Sequence, residues 1–119
     1  MRPDDRDAAF LWDMREAAAD ILEFTHELTF EDFKRDKKGR YAVERQIMVL
    51  GEAAKKVSES FRSAHPDIPW AGIIAQRNVI AHEYGEIIIE RIWRVARERV
   101  PKLLKLIDPL IPPEPAEEE

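Results

Sequence analysis

Between Val43 and Phe61 the apolar residues Val43, Ile47, Leu50, Ala54, Val57 and Phe61 recur at intervals of four, three, four, three and four. Such intervals gather side chains on one stripe of an α-helix, and the two-residue period of a strand cannot reproduce them. The spacing predicts a helix over 40–63 with a seam that must pack on another helix.

The same period runs through most of the chain. Leu11, Met14, Ala18, Ile21 and Thr25 predict a helix over 5–27, with Asp4 and Asp5 as possible N-caps. Thr29 and Asp32 have the form of a capping box with Asp in its last position, and open a short helix expected to end near a Lys37-Lys38-Gly39 turn. Pro66 and Pro69 require the long helix to stop by Ala64 or His65, and Pro69 suits the first turn of a helix over 69–83. That helix turns Trp70, Ile73, Ile74 and Ala81 inward, with Gly85 as its C′ residue. A last helix over 86–107 carries Ile89, Ile92, Trp93, Ala96, Val100, Leu103, Leu104 and Ile107, and Pro101 is expected to kink or shorten it. With no strand-like alternation and no internal repeat, the expected fold is an all-α up-and-down bundle of four main helices plus one short helix. The length of 119 residues suits one domain, placed at 1–111.

Composition removes several classes of chemistry. Four glycines are too few for Gly-rich phosphate loops, and the absence of cysteine excludes thiolate nucleophiles, disulfides and Cys-ligated metal. No segment approaches the roughly 20 apolar residues of a membrane span, so a cytoplasmic protein with no membrane partner is expected. The net charge of −5 argues at first against a polyanionic partner. Yet residues 112–119, PPEPAEEE, form an acidic Pro/Glu tail expected to be disordered. Four of the 24 acids lie in it, so the rest of the chain sets 20 acids against 19 basic residues. The basic residues also cluster, from Lys34 to Arg45 and from Arg91 to Lys105. The plain reading of either run is a solvated helix face, and the first, with fewer acids inside it, is the better phosphate-facing candidate.

Reactive groups concentrate in one segment, Arg77 to Glu86, which holds Arg77, Asn78, His82, Glu83 and Tyr84. On a helix Asn78 and His82 are i, i+4 neighbours, whereas Arg77 lies about 140° around the axis from His82 at about 100° per residue. Arg, Asn and His without metal or thiol suit transesterification of an RNA phosphodiester. His82 can take the proton of an attacking 2′-OH, Arg77 can hold two phosphate oxygens, and Asn78 can bond the phosphate or orient the imidazole. One base leaves the departing 5′-oxygen without an acid, which a second copy across a two-fold axis can supply. Each residue alone also has a structural reading: Arg77 as an ion-pair partner, Asn78 as a surface amide, His82 as a helix-end cap and Tyr84 as core packing. His26 and His65 keep structural readings, and no two histidines have metal-ligand spacing.

The segment Arg77-Asn78-Val79-Ile80-Ala81-His82-Glu83-Tyr84 resembles the R-x4-H-x-Y motif of HepT-like toxins, members of the HEPN superfamily. Leu50-Gly51-Glu52-Ala53-Ala54 resembles their IGEA element. Ile68-Pro69-Trp70 with Ile73-Ile74 resembles the approach to the motif, and Trp93 with Val100-Pro101-Lys102-Leu103 the terminal helix. The resemblance covers roughly 10–107. It implies a HEPN-type all-α homodimer whose R-x4-H sites meet in a cleft, and the toxin half of a type VII-like toxin–antitoxin system. It further implies a metal-independent endoribonuclease, without cofactor, acting on RNA such as tRNA or mRNA through Arg77, His82 and Asn78. The implied antitoxin is an MNT-type nucleotidyltransferase that transfers AMP to Tyr84. A second reading is a non-catalytic dimeric nucleotide-binding or accessory partner of that transferase. A third is a structural helical dimer in which Arg77 pairs with a carboxylate such as Glu52. Gly51, in mid-helix, is expected to mark a close helix crossing.

Overall fold

Asp4 opens the first helix, α1 (Asp5–Thr25): its Oδ1 accepts the Asp7 N–H at 2.7 Å and satisfies one of the donors that a helix start leaves over. The computed structural model describes residues 3–82 and 86–112, with the side chains of residues 81, 82, 86 and 87 outside that description. Tyr84 and Gly85, and the tail from residue 113 onward, therefore lie outside the described residues. The described residues form an all-α bundle with no strand.

All five residues of the α1 stripe are buried, and the helix packs against α3 (Lys37–Lys56) and α7 (Val100–Ile107). It ends two residues earlier than its periodicity suggests, because Glu27 takes a left-handed conformation with φ 64°. The short helix α2 (Phe30–Arg35) opens with a complete capping box. Thr29 Oγ1 accepts the Asp32 N–H and Asp32 Oδ2 accepts the Thr29 N–H, each at 3.1 Å. The Thr29 backbone N–H is also the first cause holding the Asp32 carboxyl below the usual range.

Both expected boundaries of the long helix also move. Lys37, Lys38 and Gly39 are not a turn but the first turn of α3, because Asp36 breaks the chain and caps the new helix by accepting the Gly39 N–H at 2.9 Å. The single helix expected over 40–63 is two helices, α3 and α4 (Glu59–Ala64). Val57 is extended between them. The break is held from outside: Asp7 of α1, buried, accepts the Ser58 N–H at 2.8 Å and the Ser58 hydroxyl at 2.6 Å. Ser58 Oγ in turn accepts the Phe61 N–H and caps α4. All six apolar residues of the predicted seam stay buried across the break.

Pro69 precedes α5 (Trp70–His82) instead of sitting in its first turn, and its carbonyl accepts the Ile73 N–H. Trp70 is buried and donates its indole N–H to the His65 carbonyl at 3.0 Å, while the His65 ring lies 4.4 Å from that of Phe61. His65 is thus tied into the packing between α4 and Trp70.

The final helix is interrupted ahead of Pro101 rather than at it. α6 (Glu86–Arg94) runs into a π-helical turn, Val95–Arg99, closed by a bond from the Val100 N–H to the Val95 carbonyl, and α7 follows with Pro101 in its first turn. A proline there needs no donor, and the wide turn takes up the extra residue implied by the intervals of four from Ile92 to Ala96 and from Ala96 to Val100. Ile92, Ala96, Val100, Leu103 and Ile107 are buried as expected, but Ile88 is buried where Ile89 is only half-buried.

Candidate active site

The site rests on the crossing of α3 with α5. A Cβ built on Gly51 would lie 2.5 Å from the Arg77 Cβ and 3.4 Å from the Ile73 carbonyl oxygen, closer to the first than any real pair of such atoms comes. Only glycine admits α5 at this separation, which is the close crossing that a mid-helix glycine implied.

That approach brings the next residue of α3 onto the arginine. Glu52 Oε1 lies 2.7 Å from Arg77 Nε. The Nε hydrogen is not aligned well enough for a hydrogen bond, so the contact is a close ion pair, with Nε itself shielded from solvent. At the other end of the fork, one terminal nitrogen of Arg77 donates to the Asn78 Oδ1 at 2.9 Å. The guanidinium is thus oriented from two sides. The Arg77 side chain nevertheless remains about one-third exposed and borders open space.

The space is a cleft of about 420 Å³ between α1 and α3. Arg77, Arg45 and Lys56 place three cations on its wall against the two acids Glu52 and Asp13, with Phe10 among the apolar residues of its lining. Arg45, the last member of the first basic cluster, is the one that reaches this wall. Arg97, from the second cluster, instead serves the fold: it lies 5.2 Å over the Trp93 ring and donates to the Thr25 carbonyl at the end of α1. A second cavity, of about 360 Å³, is apolar, bordered by Ile47, Leu50, Ile73 and Leu103, and includes neither Arg77 nor Asn78.

Of the residues singled out in the sequence, Arg77 and Asn78 are brought together by their hydrogen bond, and Arg77 lines the cleft. α5 is continuous to His82, so Asn78 and His82 stand one helical turn apart along its backbone. The His82 side chain and all of Tyr84 lie outside the described residues. The pairing of Arg77 with Glu52 that the structural reading named is present. The signal was the adjacent Gly51, since a glycine that admits a helix also carries its neighbours to that helix.

Comparison with known proteins follows the same residues. The family model described as Ribonuclease HepT-like matches residues 14–110. The chain is 40% identical over 103 residues to a Methanocaldococcus jannaschii protein named "Putative RNase MJ0127", covering 87% of this chain and 85% of the relative. It is 36% identical over 100 residues to "Putative RNase MJ1380" of the same organism, covering 84% and 92%. It is also 38% identical over 94 residues to "Probable ribonuclease HepT" of Thermococcus cleftensis, covering 79% and 86%. No solved structure matches the chain.

Proposed function

The chain belongs to the ribonuclease HepT-like family, and on that premise we propose that it is a metal-independent endoribonuclease acting through Arg77, Asn78 and His82. The observation that carries the proposal is the Arg77 guanidinium, oriented by Glu52 and Asn78 and presented to a cleft with two further cations.

In the proposed reaction an RNA phosphate takes the free edge of the guanidinium, a planar fork matched to two phosphate oxygens. His82 accepts the proton of the ribose 2′-OH as that oxygen bonds to phosphorus, and the bond from phosphorus to the 5′-oxygen breaks. Arg77 stabilises the charge that grows on the non-bridging oxygens, and Asn78 keeps the fork turned to them. The products are a 2′,3′-cyclic phosphate and a 5′-hydroxyl. The leaving oxygen takes its proton from a second His82, contributed by another copy in a homodimer.

As the resemblance implies, the chain acts as the toxin of a pair whose antitoxin is an MNT-type nucleotidyltransferase. AMP on Tyr84 would put an anionic group two residues from His82 and oppose an incoming RNA phosphate by repulsion and bulk. The ion pair with Glu52 favours one competing reading, in which Arg77 serves the fold alone.

One experiment separates these. Purified full-length chain incubated with RNA in EDTA is expected to yield 2′,3′-cyclic phosphate ends, with His82→Ala abolishing cleavage at unchanged helicity and dimer mass. Arg77→Ala that unfolds the chain, beside a silent His82→Ala, supports the structural reading instead. An AMP adduct on Tyr84 without RNA turnover by any form identifies an accessory partner of the transferase.

A further inference from the structure

The cleft that holds Arg77 is also lined by an aromatic ring with cations near it. Phe10 of α1 lines it and is half-buried, and two cations stand near the ring: the Arg6 guanidinium and the Lys56 ammonium, each 5.9 Å from the ring centroid. Both distances sit at the outer limit of a cation–π contact, and both cations are on exposed side chains. The core beneath is already filled by Leu11, Met14 and the α3 stripe, so Phe10 stands at its margin.

An aromatic face at the margin of a core, flanked by cations and sharing a cleft with a phosphate-binding arginine, has the composition of a single-strand RNA platform. Bases stack on such rings while the cations follow the backbone. We propose that Phe10, Arg6 and Lys56 form a stacking subsite for a nucleobase of the RNA strand whose scissile phosphate Arg77 holds; the proposal rests on the ribonuclease reading above. In this subsite the base lies on Phe10, Arg6 closes over its outer face as a second planar group, and Lys56 meets a flanking phosphate. Stacking reads the π-face and not the base edge, so the subsite favours unpaired RNA over duplex without choosing strongly among bases.

The test uses full-length chain carrying His82→Ala, so that cleavage does not consume the probe. Fluorescence anisotropy compares an oligo(A) RNA with an abasic ribose-phosphate oligomer of equal length. The oligo(A) is expected to bind about ten-fold tighter, a ratio typical of one stacked base. Phe10→Leu, which keeps apolar volume, is expected to bring the ratio to about one at unchanged melting temperature, and Phe10→Trp to keep or raise it. Arg6→Ala, on an exposed side chain, is expected to lower the ratio by about three-fold. An unchanged ratio in Phe10→Leu, or a parent chain that binds neither oligomer, overturns the subsite. Cleavage by the chain with His82 intact is scored separately: cleavage with a Phe10-independent ratio sinks the subsite and spares the ribonuclease, whereas a Phe10-dependent ratio without cleavage does the reverse.

Discussion

Gly51 of α3 and Arg77 of α5 meet so closely that a single methyl group on the glycine would stand 2.5 Å from the arginine's Cβ. The obstructing atom is anchored directly to the α5 backbone and cannot swing aside, so α5 itself has to move. Gly51→Ala gains up to about 1 kcal/mol of helix propensity but meets an overpacking cost of about 1–3 kcal/mol. The clash is expected to win. Urea denaturation followed by circular dichroism should show a net loss of about 1–2 kcal/mol, and a stabilised variant would contradict the crossing described.

Glu52→Gln separates orientation from stability. Both partners of the ion pair are more than three-tenths exposed, so its loss is expected to cost less than about 1 kcal/mol. Removing the negative charge leaves Arg77 more available to RNA phosphate. Binding in the low-salt range should tighten, and the salt dependence of log K for single-stranded RNA should steepen by about 0.7, one additional phosphate contact. A variant that melts far below the parent would instead make the pair a structural anchor.

Asp7→Ala removes both acceptors that Ser58 uses to leave α3 and begin α4. The expected loss is about 2–3 kcal/mol, because a charge-assisted bond is lost and the Ser58 N–H is left without its partner. Ser58→Ala, which keeps the backbone bond, should cost less, roughly 1 kcal/mol for a lost cap. Thermal unfolding of the two variants side by side checks the order.

Arg97→Ala takes away the cation at the end of α1, where the helix has no basic residue of its own in its last turn. It also uncovers Trp93, which lies against the rings of Phe30 and Phe33. A loss of about 1–2 kcal/mol is expected, with Arg97→Lys recovering part of it. Hydrogen exchange should rise first in the last turn of α1.

Burial raises the Glu44 carboxyl above its ordinary range, with Arg40 only partly opposing the shift. Its folded form therefore binds a proton more tightly than the unfolded chain does. The associated stability is present below the unfolded value of about 4.3 and is lost as pH rises through the folded one. Glu44→Gln is expected to stabilise the protein at neutral pH, with the advantage vanishing at acid pH. Melting temperatures of both forms across pH 3–8, roughly the range over which carboxylates and histidines titrate, measure this.

Helix positions and the buried stripes were legible from spacing because they depend on side chains within one segment. Where the chain breaks was less legible. Val57 and Phe61 continue the α3 interval without a flaw, and the break before Ser58 is set by Asp7, 51 positions away and outside any local pattern. The π turn was half-visible: Pro101 announced an interruption, but only the two successive intervals of four upstream fix where the extra residue goes. At the site, Arg77 and Asn78 stood out by residue type. Glu52 was named as a carboxylate that Arg77 could pair with, but how tightly the two meet depends on how near α5 comes to Gly51, which is a property of two helices and not of either.

α1 is clasped between α3 and α7, two segments made at very different times during synthesis. Made before either of them, it has nothing to cover Leu11 and Met14 until α3 follows, and its side toward α7 stays open until α7 has emerged. A nascent chain of this kind presents an unfinished apolar helix until α7 has been made. The bundle that carries Arg77 therefore closes around α1 only once α7 has been made.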